Sequence, residues 1–268
     1  MLREVGIEGV GVANAVSPDV AWAENQVHVL ELAGVVDAWV RDVASFVSPA
    51  APPTGEGAGA HLASCGILVA SSKRVTIADS HLGEAQNRGP NGNGYLFEIR
   101  TSNEVLTRDS TAVAGRHNFI QNWGFGTSGC VWLRVRSSAG QALSARGSLA
   151  LLGMSEFHHS LATGNLIDSS VLEDGWLGVN RLTESTGAGH TATENVFWRP
   201  SGSGSIRSFQ WRWGYVIGSS PELAVVTDRV AWEQIDTEPL DFVEGPGRGA
   251  ELEPGSLYEA QLARRLGR

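Results

Sequence analysis

The chain has 268 residues, and 42% of them are hydrophobic, which is enough apolar surface for a folded core and excludes a disordered segment. Its formal net charge is −9 and no basic stripe runs along it, which argues against nucleic acid as a partner. No apolar run reaches the roughly 18 residues of a membrane-spanning helix, so we expect no insertion into a membrane.

The first predicted element is the strand-like segment Val5–Val12, which follows Met1 with no targeting segment or cap before it. We therefore expect one domain over residues 1–268 that begins inside its fold and lacks N-terminal coils and their cap. Cys65 and Cys130 both lie in apolar runs, so we expect buried free thiols and no disulfide.

A short strand of similar form recurs along the chain, with starts separated by roughly 26 to 36 residues. The starts are Trp39, Val75, Val105, Val131, Asn165 and Asn195. Other short strands with alternating residues lie beside them, for example Gly66–Ala70 and Tyr95–Ile99. Because one coil of three short strands cannot bury its own side chains, the coils must stack. The repeat therefore predicts an all-β fold, a right-handed parallel β-helix of roughly six or seven coils.

The last residues predict a helix. Ser256 and Glu259 form a capping-box pattern, and Ala260–Leu266 continues with helical spacing and with arginines in its last turn. We therefore expect residues 253–268 to be a C-terminal capping segment whose short helix folds over the last coil.

Two segments interrupt the repeat with loop composition. Residues 48–60 are rich in Pro and Gly, and residues 83–94 are rich in Gly and Asn. Loops of this kind leave the side of the rod, where they either wall a binding groove or serve as simple spacers. The sequence leaves both interpretations open.

Polar side chains concentrate at four places along the chain, most of them separated by roughly 20 to 40 residues. They are Arg116–His117, His158–His159 followed by Asp168, Asn180–Arg181, and His190. On neighbouring coils these side chains would converge on one face. Arg116, His117, His159 and His190 would then supply acid, base and anion stabilisation, and Asp168, Asn180 and Arg181 would bind substrate. The alternative is that the same side chains brace turns and fill core positions.

Within the His158–His159 pair, strand alternation would turn the two rings to opposite faces, so that only one of them lines a site. Trp123 and Trp176 lie in loop-like contexts, as do Trp211 and Trp213, and we expect them to stack on sugar rings. Trp39, Trp132 and Trp198 lie in strands, where we expect packing.

Three imidazoles, those of His117, His159 and His190, would suit zinc, but no short ligand spacing supports a metal site. No clustered Asp ladder indicates calcium, although the sequence does not exclude it. We therefore predict no cofactor.

Several motifs have a familiar form: Gly115–Phe119, His158–Gly164, Asn180–Arg181, Gly189–Thr191, Trp213–Gly218, Phe242–Gly245 and Ser256–Leu262. With them the chain resembles bacterial right-handed β-helix proteins of the pectate-lyase-like superfamily, in an uncharacterised branch. The resemblance implies a β-helix and a polysaccharide partner. It names no reaction, because the superfamily holds lyases, hydrolases, epimerases and adhesins. The paired aspartates of its hydrolases and the calcium-binding aspartates of its lyases are missing, and Lys73 is the only lysine.

The leading hypothesis is a secreted or cell-surface carbohydrate-active protein, a lyase on an acidic, uronate-containing polysaccharide or a glycoside hydrolase. In the lyase, an Arg or His would abstract the proton α to the carboxyl group, and Arg116 or Arg181 would neutralise that carboxylate. The alternative is a non-catalytic carbohydrate-binding or scaffold module of the adhesin type. We expect a monomer that acts outside the cell or at its surface.

Overall fold

The computed structural model describes residues 2–228 and 240–268. Within them the chain winds into stacked coils of parallel strands, which form a 14-stranded sheet, here sheet 1, and an 8-stranded sheet, here sheet 2. This is the all-β parallel β-helix that the repeat predicted. The strands of sheet 2 are His28–Ala33, Cys65–Ala70, Tyr95–Arg100, His117–Gln121, Ser155–Phe157, Trp176–Val179, Ser205–Phe209 and Ala224–Val226.

Sheet 1 has two arms that share the long strand Val35–Ser45. The first arm continues through Lys73–Ala78, Leu106–Arg108, Val131–Leu133, Leu166–Asp168, Val196–Trp198, Tyr215–Ile217 and Phe242–Glu244. The second arm continues through His81–Gly83, Thr111–Val113, Arg136–Ser138 and Val171–Leu172. On the N-terminal side, Leu2–Arg3 and Gly6–Val12 pair in parallel with Val35–Ser45.

The six strands that the repeat predicted all lie in sheet 1, in the long strand and the first arm, and they are in register from coil to coil. Successive backbone partners are Thr76, Leu106, Val131, Leu166 and Val196. The prediction succeeds because each strand places a similar apolar pattern at the same point of its coil, and stacking buries that pattern.

The remaining elements are short. The helices are Pro18–Ala23, Glu184–Gly187 and Leu257–Arg265, with a 3₁₀ turn at Gly249–Glu251. Two further strand pairs are the antiparallel hairpin Gln141–Leu143 with Ala150–Leu152, and the parallel pair Ala162–Thr163 with Ala192–Thr193. Among the described residues, no helix has both the length and the apolar composition to span a bilayer.

The corner that follows each strand of the first arm repeats one backbone conformation. Five residues there have φ between +49° and +51°, and the last two corners use glycine. They are Asp79, Asp109, Arg134, Ser169 and Arg199, followed by Gly218 and Gly245. The strain is tolerated because the N–H of each corner before Gly245 donates to a carbonyl of the next coil, as Asp79 does to Arg108.

Aromatic side chains stack through the centre of the rod. Phe97 and Phe119 are stacked with ring centroids 5.1 Å apart, and Trp132 and Trp176 meet edge to face at 5.7 Å. The prediction that Trp176 binds sugar is therefore wrong, because its side chain is 0% exposed. Trp176 begins a strand and pairs with Ser155 on the inward row, so its indole joins the core.

The C-terminal helix forms as predicted, with Ser256 accepting a hydrogen bond from the Glu259 N–H at 3.2 Å. Its N-terminus meets Asp168, whose Oδ2 accepts from Ser256 Oγ and from the Tyr258 N–H, both at 2.8 Å. Glu259 also pairs with Arg134 at 2.6 Å. The helix therefore docks on the flank of the middle coils, which corrects the expectation that it folds over the last coil.

Asp168 is a second correction among the predicted ligand-binding residues. It follows the inward-facing Ile167 and so faces outward, but the C-terminal segment covers it completely, and it is 0% exposed. Its carboxylate neutralises the positive end of the helix dipole and satisfies an N–H of the first turn. Asp168 is a structural anchor.

Candidate ligand-binding site on sheet 2

The centre of the candidate site is Glu156, in the middle of the strand Ser155–Phe157. Its side chain is 1% exposed, and three side chains that can carry positive charge surround it. His158 Nδ1 lies 3.0 Å from the carboxylate, His117 Nε2 lies 3.6 Å away, and Arg181 is in direct contact. By distance, these contacts are ion pairs.

A second buried carboxylate, Glu98, lies two strands earlier in the same sheet and is 0% exposed. Arg100 donates to it twice, from Nε at 2.5 Å and from Nη2 at 3.0 Å. His28 Nε2 lies 2.9 Å from it, and Asn122 donates at 3.0 Å. We call Glu98, Glu156 and these partner side chains the charged cluster.

The register of sheet 2 explains why the two carboxylates share a face. Ile120 pairs with Glu98 on one side and with Glu156 on the other. Phe97 and Phe157 belong to the core, so strand alternation places both glutamates on the outer face. With neighbouring strands about 4.8 Å apart, the two side chains begin about 10 Å from each other.

The cluster shifts the pKa of its members in a consistent way. Burial opposes ionisation of Glu156, but Arg181 and His158 outweigh it and hold its pKa well below the usual range. Burial likewise opposes ionisation of Glu98, while His28 and Arg100 lower its pKa. Burial lowers the pKa of His117 to about 4, against the attraction of Glu156, so this imidazole is neutral at pH 7.

Beside the cluster, aromatic rings line the loops that follow successive strands of sheet 2. Trp123 is 44% exposed and stacks on His159, with ring centroids 4.5 Å apart and planes inclined by 17°. His190 stacks on Trp211 at 4.1 Å, and Trp213 is 45% exposed. We call these five residues the aromatic edge. Backbone hydrogen bonds join the loops, including Gly126 to Ser160 and Leu161 to His190.

The prediction for the His158–His159 pair is wrong, because the strand ends at Phe157 and strand alternation no longer applies. The two rings lie 4.8 Å apart in an edge-to-face arrangement, and both belong to the candidate site. His158 faces Glu156, whereas His159 faces Trp123. Burial, together with the nearby His158, lowers the pKa of His159 to about 4.

The other predicted residues take less direct positions. Arg116 donates from Nη1 to the Gly89 carbonyl, which makes it an anchor for the preceding loop. Asn180 is 1% exposed, its backbone N–H donates to Phe209, and its side-chain oxygen has no hydrogen-bond partner within the described residues. His190 is half-buried under Trp211. The structure thus brings His117, His159, Arg181 and Trp123 together, with Arg116 at the border.

No zinc site is formed by His117, His159 and His190. In the part of the chain that the structure describes, no group of three or more His, Cys, Asp or Glu side chains has the geometry to hold a metal ion. His117 is turned away by Nδ1, which lies 2.5 Å from the Met154 carbonyl.

Sequence reasoning missed the two glutamates that organise the site. Glu98 interrupts the apolar run Tyr95–Ile99, and Glu156 lies beside Phe157 in a short strand. A carboxylate inside a strand that becomes buried was the available signal. The sequence also led us to expect that Trp39 packs inside the fold, and the structure corrects this. Trp39 is 37% exposed and lines a groove of about 510 Å³ on sheet 1, beside Glu8 and Arg41.

No protein-family model matches the chain, and neither does a curated protein or a solved structure.

Proposed function

We propose that the protein is a non-catalytic carbohydrate-binding β-helix protein that holds an acidic polysaccharide along the aromatic edge. The observation that carries the proposal is Trp123, an exposed indole fixed in one orientation by the parallel ring of His159. A flat aromatic face of this kind offers apolar contact to a sugar ring. Because the ring is already immobilised, little further conformational entropy is lost on binding.

The repetition of the edge favours a polymer over a single sugar. The His190–Trp211 pair and Trp213 lie on loops of the following coils, and coils are spaced by about 4.8 Å. Successive rings of an extended chain would meet successive loops of the protein. Each contact adds to the effective concentration of the next.

The charge beside the edge favours an acidic polymer. Arg100 pairs with Glu98 and Arg181 pairs with Glu156, so the guanidinium of Arg116, which lies near His117, leaves one positive charge among these groups. This excess is local, since the whole chain carries −9. A uronate polymer, found outside cells and on their surfaces, matches that local charge and the resemblance to the pectate-lyase-like superfamily.

The same geometry makes catalysis the weaker alternative. Glu156 is 1% exposed and held as a carboxylate, so it neither reaches a substrate nor carries a proton to donate. A general base works best when its pKa is near the working pH, and the pKa values of His117 and His159 are about 4. The cluster therefore supports the loops that carry the aromatic edge.

The proposal is tested by isothermal titration of polygalacturonate, alginate and neutral pullulan into the wild type, Trp123→Ala and Trp39→Ala. We expect the wild type to bind an acidic polymer and not pullulan. Trp123→Ala should weaken binding by about tenfold or more, or about 1.4 kcal/mol. Trp39→Ala is the matched control, because Trp39 is similarly exposed but lies on sheet 1. Equal loss in both variants, or loss only in Trp39→Ala, would overturn the assignment to the edge.

A second arm of the experiment addresses the lyase alternative, which the convergence of His117, His158 and Arg181 favours. The absorbance of unsaturated uronate products is followed with the same acidic polymers. We expect no product from the wild type. Product formation that is lost in His158→Gln, with folding unchanged, would replace the binding proposal with a lyase.

A further inference from the structure

A separate cavity lies where the two inserted loops meet the first helix and the hairpin of residues 141–152. Residues 48–60 and 83–94 both contribute walls, so the loops do more than act as spacers. The cavity measures about 400 Å³, within the roughly 300 to 1,000 Å³ of small-molecule sites. Trp22 from the helix lines it and also lines a neighbouring cavity of about 230 Å³.

The walls are held in place by bonds that leave the cavity itself open. Asn87 donates to the Ala21 carbonyl at 3.0 Å and so connects the loop of residues 83–94 to the first helix. Arg146, from the hairpin, pairs with Glu56 at 2.9 Å and with Asp19. It therefore connects the hairpin to the loop of residues 48–60 and to the first helix. The two loops, the helix and the hairpin are thus fixed around one space.

Buried polar groups on the wall have no partner among the described residues. Both amide atoms of Gln86 and Nε of Arg88 are buried without a hydrogen bond. Arg88 Nη1 donates to Gln141 at 2.7 Å, which fixes the guanidinium group, while its Nε–H makes no hydrogen bond among the described residues. Leaving such groups unpaired costs stability, and an amide without a partner offers both a donor and an acceptor to a ligand.

Gln86 is well placed to use that capacity. Gly57 packs against its amide so closely that a Cβ at Gly57 would lie 2.3 Å from Gln86 Nε2. The terminal torsion of a glutamine side chain is soft, so a modest rotation turns the amide towards the cavity that Gln86 lines.

The charges around the cavity select the class of ligand. Arg88 and Arg146 face Asp19, Glu56 and Glu84, which leaves a slight negative excess. An anion is therefore disfavoured. An indole, an unpartnered amide and a single guanidinium N–H match a ligand with an apolar face and several hydroxyl groups. We propose that this cavity, here the Trp22 cavity, binds a neutral sugar of one or two rings.

This site is independent of the proposed function, because it shares no residue with the aromatic edge and takes an uncharged ligand. The test is saturation-transfer NMR and titration with D-glucose, D-galactose, D-mannose, D-xylose and N-acetyl-D-glucosamine, with D-galacturonate as the charged comparison. We expect saturable binding of at least one neutral sugar at millimolar concentration and weaker binding of D-galacturonate. Absence of binding by all five neutral sugars would overturn the proposal.

Gln86→Leu is the diagnostic variant. Because it removes an unpartnered buried amide, it should unfold at the same temperature as the wild type or higher, yet bind the neutral sugar about tenfold more weakly. Trp123→Ala is the matched control and should keep neutral-sugar binding. Unchanged affinity in Gln86→Leu, or loss in Trp123→Ala alone, would show that the sugar binds elsewhere. Failure of polygalacturonate binding would bear only on the aromatic edge.

Discussion

The charged cluster and the aromatic edge lie side by side, and His158 and His159 are consecutive residues that belong to one each. His158 contacts the buried carboxylate of Glu156, whereas His159 supports the exposed indole of Trp123. The cluster satisfies its charges within the chain, and the edge presents surface to solvent. A concentration of His and Arg in a sequence therefore marks a candidate binding site only where the side chains, or the rings that they support, are exposed to solvent.

The largest expected effect comes from breaking the cluster. Glu156→Gln leaves the guanidinium of Arg181 buried beside a neutral amide, and loss of one partner of a buried pair costs about 3–5 kcal/mol. We expect that decrease in the free energy of unfolding in urea titrations.

Glu8→Gln is the matched control, because Glu8 pairs with Arg41 at an exposed position where the side chain is 42% exposed. It should change the free energy of unfolding by less than about 1 kcal/mol. Equal effects of the two substitutions would mean that the cluster does not stabilise the fold.

The second effect is a pH dependence from His117. Its pKa is about 4 in the folded protein and 6.5 as a free side chain. As pH falls from 6.5 to 4, the unfolded chain takes up a proton that the folded chain refuses, so stability decreases, on the order of 2–3 kcal/mol. Burial raises the pKa of Asp174 and Asp241 to about 6, and these groups act in the opposite direction over the same range.

His117→Gln isolates this contribution, because the two aspartates are common to both proteins. The difference in unfolding free energy between wild type and variant should shift in favour of the variant as pH falls from 7 to 4. A difference that stays constant over this range would show that His117 titrates normally.

A smaller effect is expected at the C-terminal helix. Asp168→Ala removes the carboxylate that accepts from Ser256 and Tyr258 at the helix N-terminus, at a cost of about 1–2 kcal/mol. Trypsin should then cleave after Arg264 and Arg265 faster than in the wild type. Asp42→Ala, at an exposed position of the strand Val35–Ser45, should leave the cleavage rate unchanged.

The fold could be predicted because its signal repeats. Each coil from Trp39 to Asn195 carries the same short strand, and the repeat alone implies stacking. Two features were not predictable: that the strand Ser155–Phe157 ends directly before His158, and that the C-terminal helix docks on the middle coils. Both depend on contacts between coils, which the order of residues does not reveal.

The site was only partly predictable for the same reason. His117, His159, Arg181 and Trp123 were identified by residue type, but Glu98 and Glu156 look like ordinary alternation within apolar strands. Their pairing requires the cross-coil register through Ile120. Trp176 was misassigned because its context was interpreted as a loop, whereas Trp176 is the first residue of a strand.

The most direct test of polymer binding at the aromatic edge compares polygalacturonate affinity in Trp123→Ala and His117→Gln, each measured alongside its thermal unfolding. We expect Trp123→Ala to bind about tenfold more weakly, with stability changed by less than about 0.5 kcal/mol. We expect folded His117→Gln to keep the wild-type affinity while its stability changes. The reverse pattern, with affinity lost in His117→Gln and retained in Trp123→Ala, would contradict binding at the aromatic edge.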